Sequence, residues 1–193
     1  MKLPISLKDD HKTGCLRKNI YKISVKIHVL PIKGLSDEVI ENISTSAVIA
    51  ISSVPERLGR VGLYNWCALS FADVENPDMK DAFTINHATL IKNFILELPS
   101  ILTDLYICCD SGESRSPAIA AVLLILSGRS DDCVWNNPFY KPNLLVYRVM
   151  CKAFGIIITE EELFAKKQQN EQALSNAIES ADVHNFKRWE IYD

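Results

Sequence analysis

The stretch 106-YICCDSGESRSPAIAAVLLILSG-128 changes character twice. An apolar run ending in two adjacent cysteines gives way to small and charged residues, and these to an unbroken apolar helical pattern. Asp104 to Cys109 (DLYICC) predicts a buried strand near the centre of a sheet. Pro117 suits the first turn of a helix beginning near Ser116, and Gly128 suits its C-terminal stop. Strand, loop and helix form one βα unit.

The rest of the chain repeats that alternation. Ser24 to Leu30 (SVKIHVL) and Thr45 to Ser52 (TSAVIAIS) are β-branched runs that predict strands, and Trp66 to Phe71 (WCALSF) offers a third. Asp81 to Leu98 sets Ala88, Ile91, Phe94, Ile95 and Leu98 on one helical face, and Pro99 ends it. Asn143 to Phe154 predicts a helix with Asn143 as N-cap and Gly155 as its stop. Thr159-Glu160-Glu161-Glu162 opens a last helix with a capping-box pattern. Its polar middle, KKQQNEQ, implies packing over part of its length, with Lys166 and Lys167 on a solvated face. The pattern argues for an α/β fold, a single domain with a mainly parallel central sheet flanked by helices. That domain is expected to span 1–158, with 159–193 as a C-terminal helical extension packed on it or projecting from it.

Composition narrows the function classes. A chain of 193 residues can bury one sizeable core. A net charge of -3 with no block of like charges argues against a nucleic-acid partner and a polybasic membrane anchor. The start, MKLPISLKDDHK, has no apolar core of a secretory signal. The longest apolar run, Pro117 to Leu126, falls short of the ~20 residues a membrane helix needs. A cytoplasmic protein is expected. Cys15, Cys67, Cys108, Cys109, Cys133 and Cys151 form no Cys-x-x-Cys pair, and the four histidines stand apart. No metal and no other cofactor is expected. His28, His87 and the segment Tyr64-Asn65-Trp66 read as structural.

A loop at the carboxyl end of a strand in such a unit is where α/β folds bind ligands. Backbone N–H groups of residues 110–115 and the helix N-terminus behind them can make an anion site. Gly112 supplies a backbone conformation closed to most residues. Arg115 brings a planar, two-pronged donor suited to phosphate oxygens. A cysteine beginning this cradle would have its thiolate stabilised by the same donors, which arms it as a nucleophile.

Cys109-Asp110-Ser111-Gly112-Glu113-Ser114-Arg115-Ser116 resembles the Cys-x-x-Gly-x-x-Arg-Ser/Thr loop of the cysteine-dependent protein tyrosine phosphatases, and is most similar to the compact dual-specificity-like branch. VIAISSVPERLGRVGLYNWCALSFADVEN and NPFYKPNLLVYRVM look like the flanking segments of its bacterial and phage-type members, so the likeness spans Ser46 to Phe154. The resemblance implies Cys109 as nucleophile, Arg115 as the phosphoryl grip and Ser116 as the donor that stabilises the departing sulfur. Asp110, Ser111, Gly112, Glu113 and Ser114 would line the phosphate. A general acid is implied on a separate loop. Asp73 in FADVE matches it best, with Asp78 and Asp81 as rivals. Where the family usually has histidine before the nucleophile, this chain has Cys108.

The expected function is hydrolysis of phosphotyrosine, and of phosphoserine or phosphothreonine as further substrates, in a phosphorylated protein or peptide. A non-catalytic phosphate-binding module and a thiol-redox or sulfur-transfer protein using the paired cysteines are the alternatives. Acidic Asp110 and Glu113 make inositol polyphosphates poorer ligands.

Overall fold

A computed structural model describes residues 25–35, 40–59, 65–180 and 191–192. Cys15, His11 and Tyr64 lie outside the described residues. Five strands form one sheet: β1 (Lys26–Pro31), β2 (Ser46–Ser52), β3 (Trp66–Ser70), β4 (Asp104–Cys109) and β5 (Ile191–Tyr192). Their order is β3-β2-β4-β1-β5. β4 lies between β1 and β2 and is parallel to both, and β3 is parallel to β2. Only β5 runs antiparallel, on the β1 edge. The expected α/β fold with a mainly parallel sheet is therefore present.

Among the described residues the α-helices with defined bounds are α1 (Ile85–Glu97), α2 (Arg115–Leu126), α3 (Asp132–Trp135), α4 (Leu144–Phe154) and α5 (Glu160–Glu179). α1 starts at Ile85, later than the Asp81 expected from the sequence. Asp81 takes a left-handed conformation at φ 57, and the Thr84 N–H donates to His87 Nδ1 at 3.1 Å, which closes the first turn. α2 is buried at every position except Ile125. A helix apolar all round needs cover on all sides. α2 takes it from the sheet and from α4, while α1, packing with α4 over the same face, completes the layer. Burial of side chains such as Ile119 and Leu123 contributes roughly 1.5–3 kcal/mol each.

Strand periodicity separates the two adjacent thiols. Cys109 belongs to the core beneath α2, whereas Cys108 packs with Leu30, Val48, Ala50 and Tyr106 on the opposite face. Among the described residues Cys67, Cys108, Cys109 and Cys151 are free thiols. Burial holds the Cys108 thiol well above its usual range. Cys108→Ser is therefore expected to lower the thermal midpoint slightly by burying a hydroxyl. Recovery of the Cys109 thiol by reductant after mild peroxide should stay at the wild-type level. A variant that loses that recovery would show the two sulfurs meeting.

The C-terminal helix departs from one expectation. Its capping box forms, with Glu162 N–H donating to Thr159 Oγ1 and Thr159 N–H to Glu162 Oε2. Lys166, however, does not lie on a free solvated face. Its Nζ donates to Asp131 Oδ1 at 2.8 Å and Asp132 Oδ1 at 3.1 Å. Buried Asn170 donates to the Trp135 and Asn137 carbonyls. Polar residues in the middle of α5 thus dock it onto α3 and the turn after it. No helix among the described residues is long and apolar enough to cross a membrane.

Candidate active site

Parallel strands end at one edge of the sheet, so the ends of β1, β2, β3 and β4 meet there. Cys109 closes β4 and α2 begins at Arg115, which leaves the intervening loop at this edge. The helix N-terminus behind it adds partial positive charge. Cys109 is fully buried. Its Sγ lies 3.1 Å from Ser116 Oγ and accepts from the Gly112 N–H at 3.2 Å. Across the Ser116 contact either the thiol or the hydroxyl can donate.

Gly112 is required twice over. Its φ is +75, and an added Cβ would sit 2.7 Å from the Leu30 carbonyl carbon and from Pro31 N. The loop is pressed against the end of β1, and only hydrogen fits in the gap. Ser111 lies outward, its Oγ accepting from the Glu113 N–H at 3.3 Å. The far side of the loop is pinned by the segment before α4. Lys141 N–H donates to the Glu113 carbonyl at 2.8 Å, and Asn143 N–H to the Ser114 carbonyl at 3.2 Å.

Arg115 is only 4% exposed. Its Nη1 donates to the Phe71 carbonyl at 2.9 Å and its Nη2 to Asp110 Oδ2 at 2.7 Å. Nε has no hydrogen-bond partner and lies 3.7 Å from Asp73 Oδ2. Asp110 is held in turn by the Ser52 hydroxyl at 2.7 Å. Burial pushes the Asp110 carboxyl up, but the Ser52 hydroxyl and the Arg115 charge together carry it below the ordinary carboxylate range. Asp110 accordingly stays ionised in neutral solution.

Of the three acids, Asp73 is the one brought against the loop. Its Oδ1 accepts from Ser114 Oγ and from Asn143 Nδ2, each at 2.8 Å. Its side chain is 34% exposed, open enough to meet an incoming group. Asp78 and Asp81 are exposed on the turn beyond it. Asp81 serves through its backbone, its carbonyl accepting the Ala72 N–H at 2.7 Å.

Three participants escaped the sequence reading. Asn143 caps α4 as expected, its Oδ1 accepting the Val146 N–H, but its amide nitrogen also holds Asp73. Ser52 and the Phe71 carbonyl anchor Asp110 and Arg115. Only the Asn-Pro-rich connection hinted at the first, and nothing local marks the other two. His87 stacks with Phe71 and Phe83, caps α1 through Nδ1, and has its imidazole held below its usual range by burial. It is structural.

No protein-family model and no curated protein matches this chain. Among solved structures it is similar to the crystal structure of PTPMT1 in complex with PI(5)P, at 18% identity, 77% of this chain, 91% of that chain and a TM-score of 0.38. A second crystal structure of PTPMT1 aligns at 18% identity over 79% of this chain and 94% of that chain, with a TM-score of 0.38.

Proposed function

We propose that this chain is a cysteine-dependent phosphomonoester hydrolase of the protein tyrosine phosphatase superfamily, acting on phosphotyrosine in a protein or peptide, with phosphoserine and phosphothreonine as further substrates. The observation that carries the reading is one constellation. A buried thiol is held by Gly112 N–H and Ser116 Oγ, beside a buried arginine with an unpartnered Nε and an aspartate 3.7 Å from it. A module that only bound phosphate would have no use for the thiol.

In this mechanism the substrate meets Cys109 as the thiolate and Asp73 as the acid, and the sulfur attacks phosphorus in line, forming an S–P bond as the ester P–O bond breaks. Asp73 gives its proton to the departing oxygen. Arg115 holds equatorial phosphoryl oxygens as charge develops on them. Water then attacks the cysteinyl phosphate and passes a proton to Asp73. The S–P bond breaks with its electron pair on sulfur, where the Ser116 hydroxyl donates, and inorganic phosphate leaves. Acidic side chains at the rim, Asp73, Asp110 and Glu113, disfavour substrates carrying several phosphates.

The test is hydrolysis of para-nitrophenyl phosphate in the presence of a metal chelator, with mass spectrometry of the acid-quenched enzyme. Turnover with phosphate trapped on Cys109 is the expected result. Binding of phosphate without turnover would select the non-catalytic module instead.

Asp73→Asn tests the acid. General acid help contributes typically ~10²–10⁴-fold, so turnover of a phosphotyrosine peptide should drop by about that factor. The basic limb of the pH–rate profile should flatten, since it reports loss of the acid's proton. Asp78→Asn and Asp81→Asn should keep both the rate and the limb. Loss of the limb in either of those, with Asp73→Asn unaffected, would move the acid to the later turn.

A further inference from the structure

The guanidinium of Arg115 is gripped from two sides before any ligand arrives. One anchor comes from the end of β3, where the Phe71 carbonyl takes an Nη1 proton. The other is built on β2. Ser52 is fully buried, its Oγ accepts the Val54 N–H at 3.0 Å, and its single proton goes to Asp110 Oδ1 at 2.7 Å. Asp110 Oδ2 then accepts from Nη2 at 2.7 Å, with Ser53 N and Oγ approaching at 3.4 Å. Arg57 reaches Asp110 Oδ1 only at 3.5 Å from an exposed position, where screening leaves it little weight.

A guanidinium carries five N–H donors in a fixed fork. With one proton on each terminal nitrogen committed, three protons remain, and Nε shares one edge of the fork with Nη2. That edge faces Asp73, whose Oδ2 at 3.7 Å is too far for a hydrogen bond, and the buried Nε has no hydrogen-bond partner. A buried donor in this state costs free energy unless a ligand satisfies it. Two parallel donors match two oxygens of one phosphoryl group.

We propose that Ser52 and Asp110 form a positioning pair that holds the Arg115 guanidinium with its Nε edge open to a tetrahedral oxyanion. The inference rests on the phosphatase reading above and removes Asp110 from the residues that line the phosphate. Asp110 acts on the ligand through Arg115. A carboxylate beside an anion site repels the anion, so its retention there is explained only if the orientation it enforces outweighs that repulsion. The sign of this balance is measurable.

The full-length chain and its Ser52→Ala, Asp110→Asn and doubly substituted variants would be titrated calorimetrically with inorganic phosphate. Each would also be assayed for kcat and KM on para-nitrophenyl phosphate, and each melted to verify folding. Ser52→Ala alters no charge and should weaken phosphate binding about tenfold, the worth of one hydrogen bond to a charged group. Asp110→Asn should weaken it at least as much despite removing a negative charge. The double variant should be no worse than Asp110→Asn alone, a coupling that independent structural damage would not produce. Tighter phosphate binding by Asp110→Asn, or unchanged binding by a folded Ser52→Ala, overturns the pair. Wild-type binding without turnover, with both variants weakened, leaves the pair standing and removes the hydrolase reading. No phosphate binding by the wild type overturns both.

Discussion

Cys109→Ser is expected to abolish turnover, by on the order of 10⁴–10⁶-fold, the scale seen when an enzyme loses its nucleophile. The substitution exchanges one atom inside a fully buried site. The Gly112 N–H and Ser116 hydroxyl that hold the sulfur remain, as does the guanidinium anchored on Phe71 and Asp110. Inorganic phosphate should therefore bind the variant about as well as the wild type. What disappears is reactivity. A serine hydroxyl is a weak nucleophile at its free pKa, and none of the groups hydrogen-bonded to this atom is a general base. Steady-state kinetics with calorimetric phosphate titration separates the two properties. Turnover comparable to wild type would sink the covalent mechanism, and joint loss of binding and turnover would mean that the sulfur shapes the cradle itself.

The largest expected effect on folding lies away from this site. Asp131 is 5% exposed and accepts three charged or buried donors: Trp135 Nε1 at 2.8 Å, the Tyr147 hydroxyl at 2.9 Å and Lys166 Nζ at 2.8 Å. It ties α3, α4 and α5 together. Asp131→Ala would leave the Trp135 donor buried without a partner and the Tyr147 hydroxyl with only the weakly accepting Cys151 sulfur, since both residues are almost wholly enclosed. A buried donor left unsatisfied costs about 1–3 kcal/mol, whereas Lys166, partly exposed, keeps Asp132 as a partner. Urea unfolding should show a midpoint lowered accordingly, and Asp131→Asn, which keeps an acceptor, should lose less. A loss below about 1 kcal/mol would mean that water or a rotated side chain satisfies the orphans. The same carboxylate, after burial, helps push the Cys151 thiol up to about 12, so Cys151 stays a packed thiol.

The βα unit of residues 104–126 was legible in the sequence because everything in it is local. An apolar run long enough for a strand, a glycine and an arginine at fixed offsets, and a proline in the first helical turn place Cys109, Gly112, Arg115 and Ser116 together, with no long-range contact needed. Fold class was legible for a related reason. Alternating strand and helix periods leave a parallel sheet as the natural way to bury both sets of apolar faces. Asp73 was legible only as one of three acids, since spacing along a chain does not say which turn folds back. Lys166 was misread because its partner, Asp131, is remote in sequence and its helix segment is polar throughout.

Tertiary structure alone decided the supporting shell. Ser52, Phe71, Asp73 and Asn143 reach their partners across sequence separations of 58, 44, 41 and 70 residues. Each such distance is bridged by parallel crossovers that bring strand ends to one edge, and nothing in a serine at the end of one strand announces a carboxylate at the end of another. Gly112 shows both levels in one residue. Its turn-forming role is written in the loop, but the 2.7 Å approach of the β1 backbone that forbids a side chain there exists only once β1 has paired with β4. The local chain determines which chemical groups are offered at the sheet edge. The pairing of distant strands, paid for by burying their apolar faces, determines which of those groups meet.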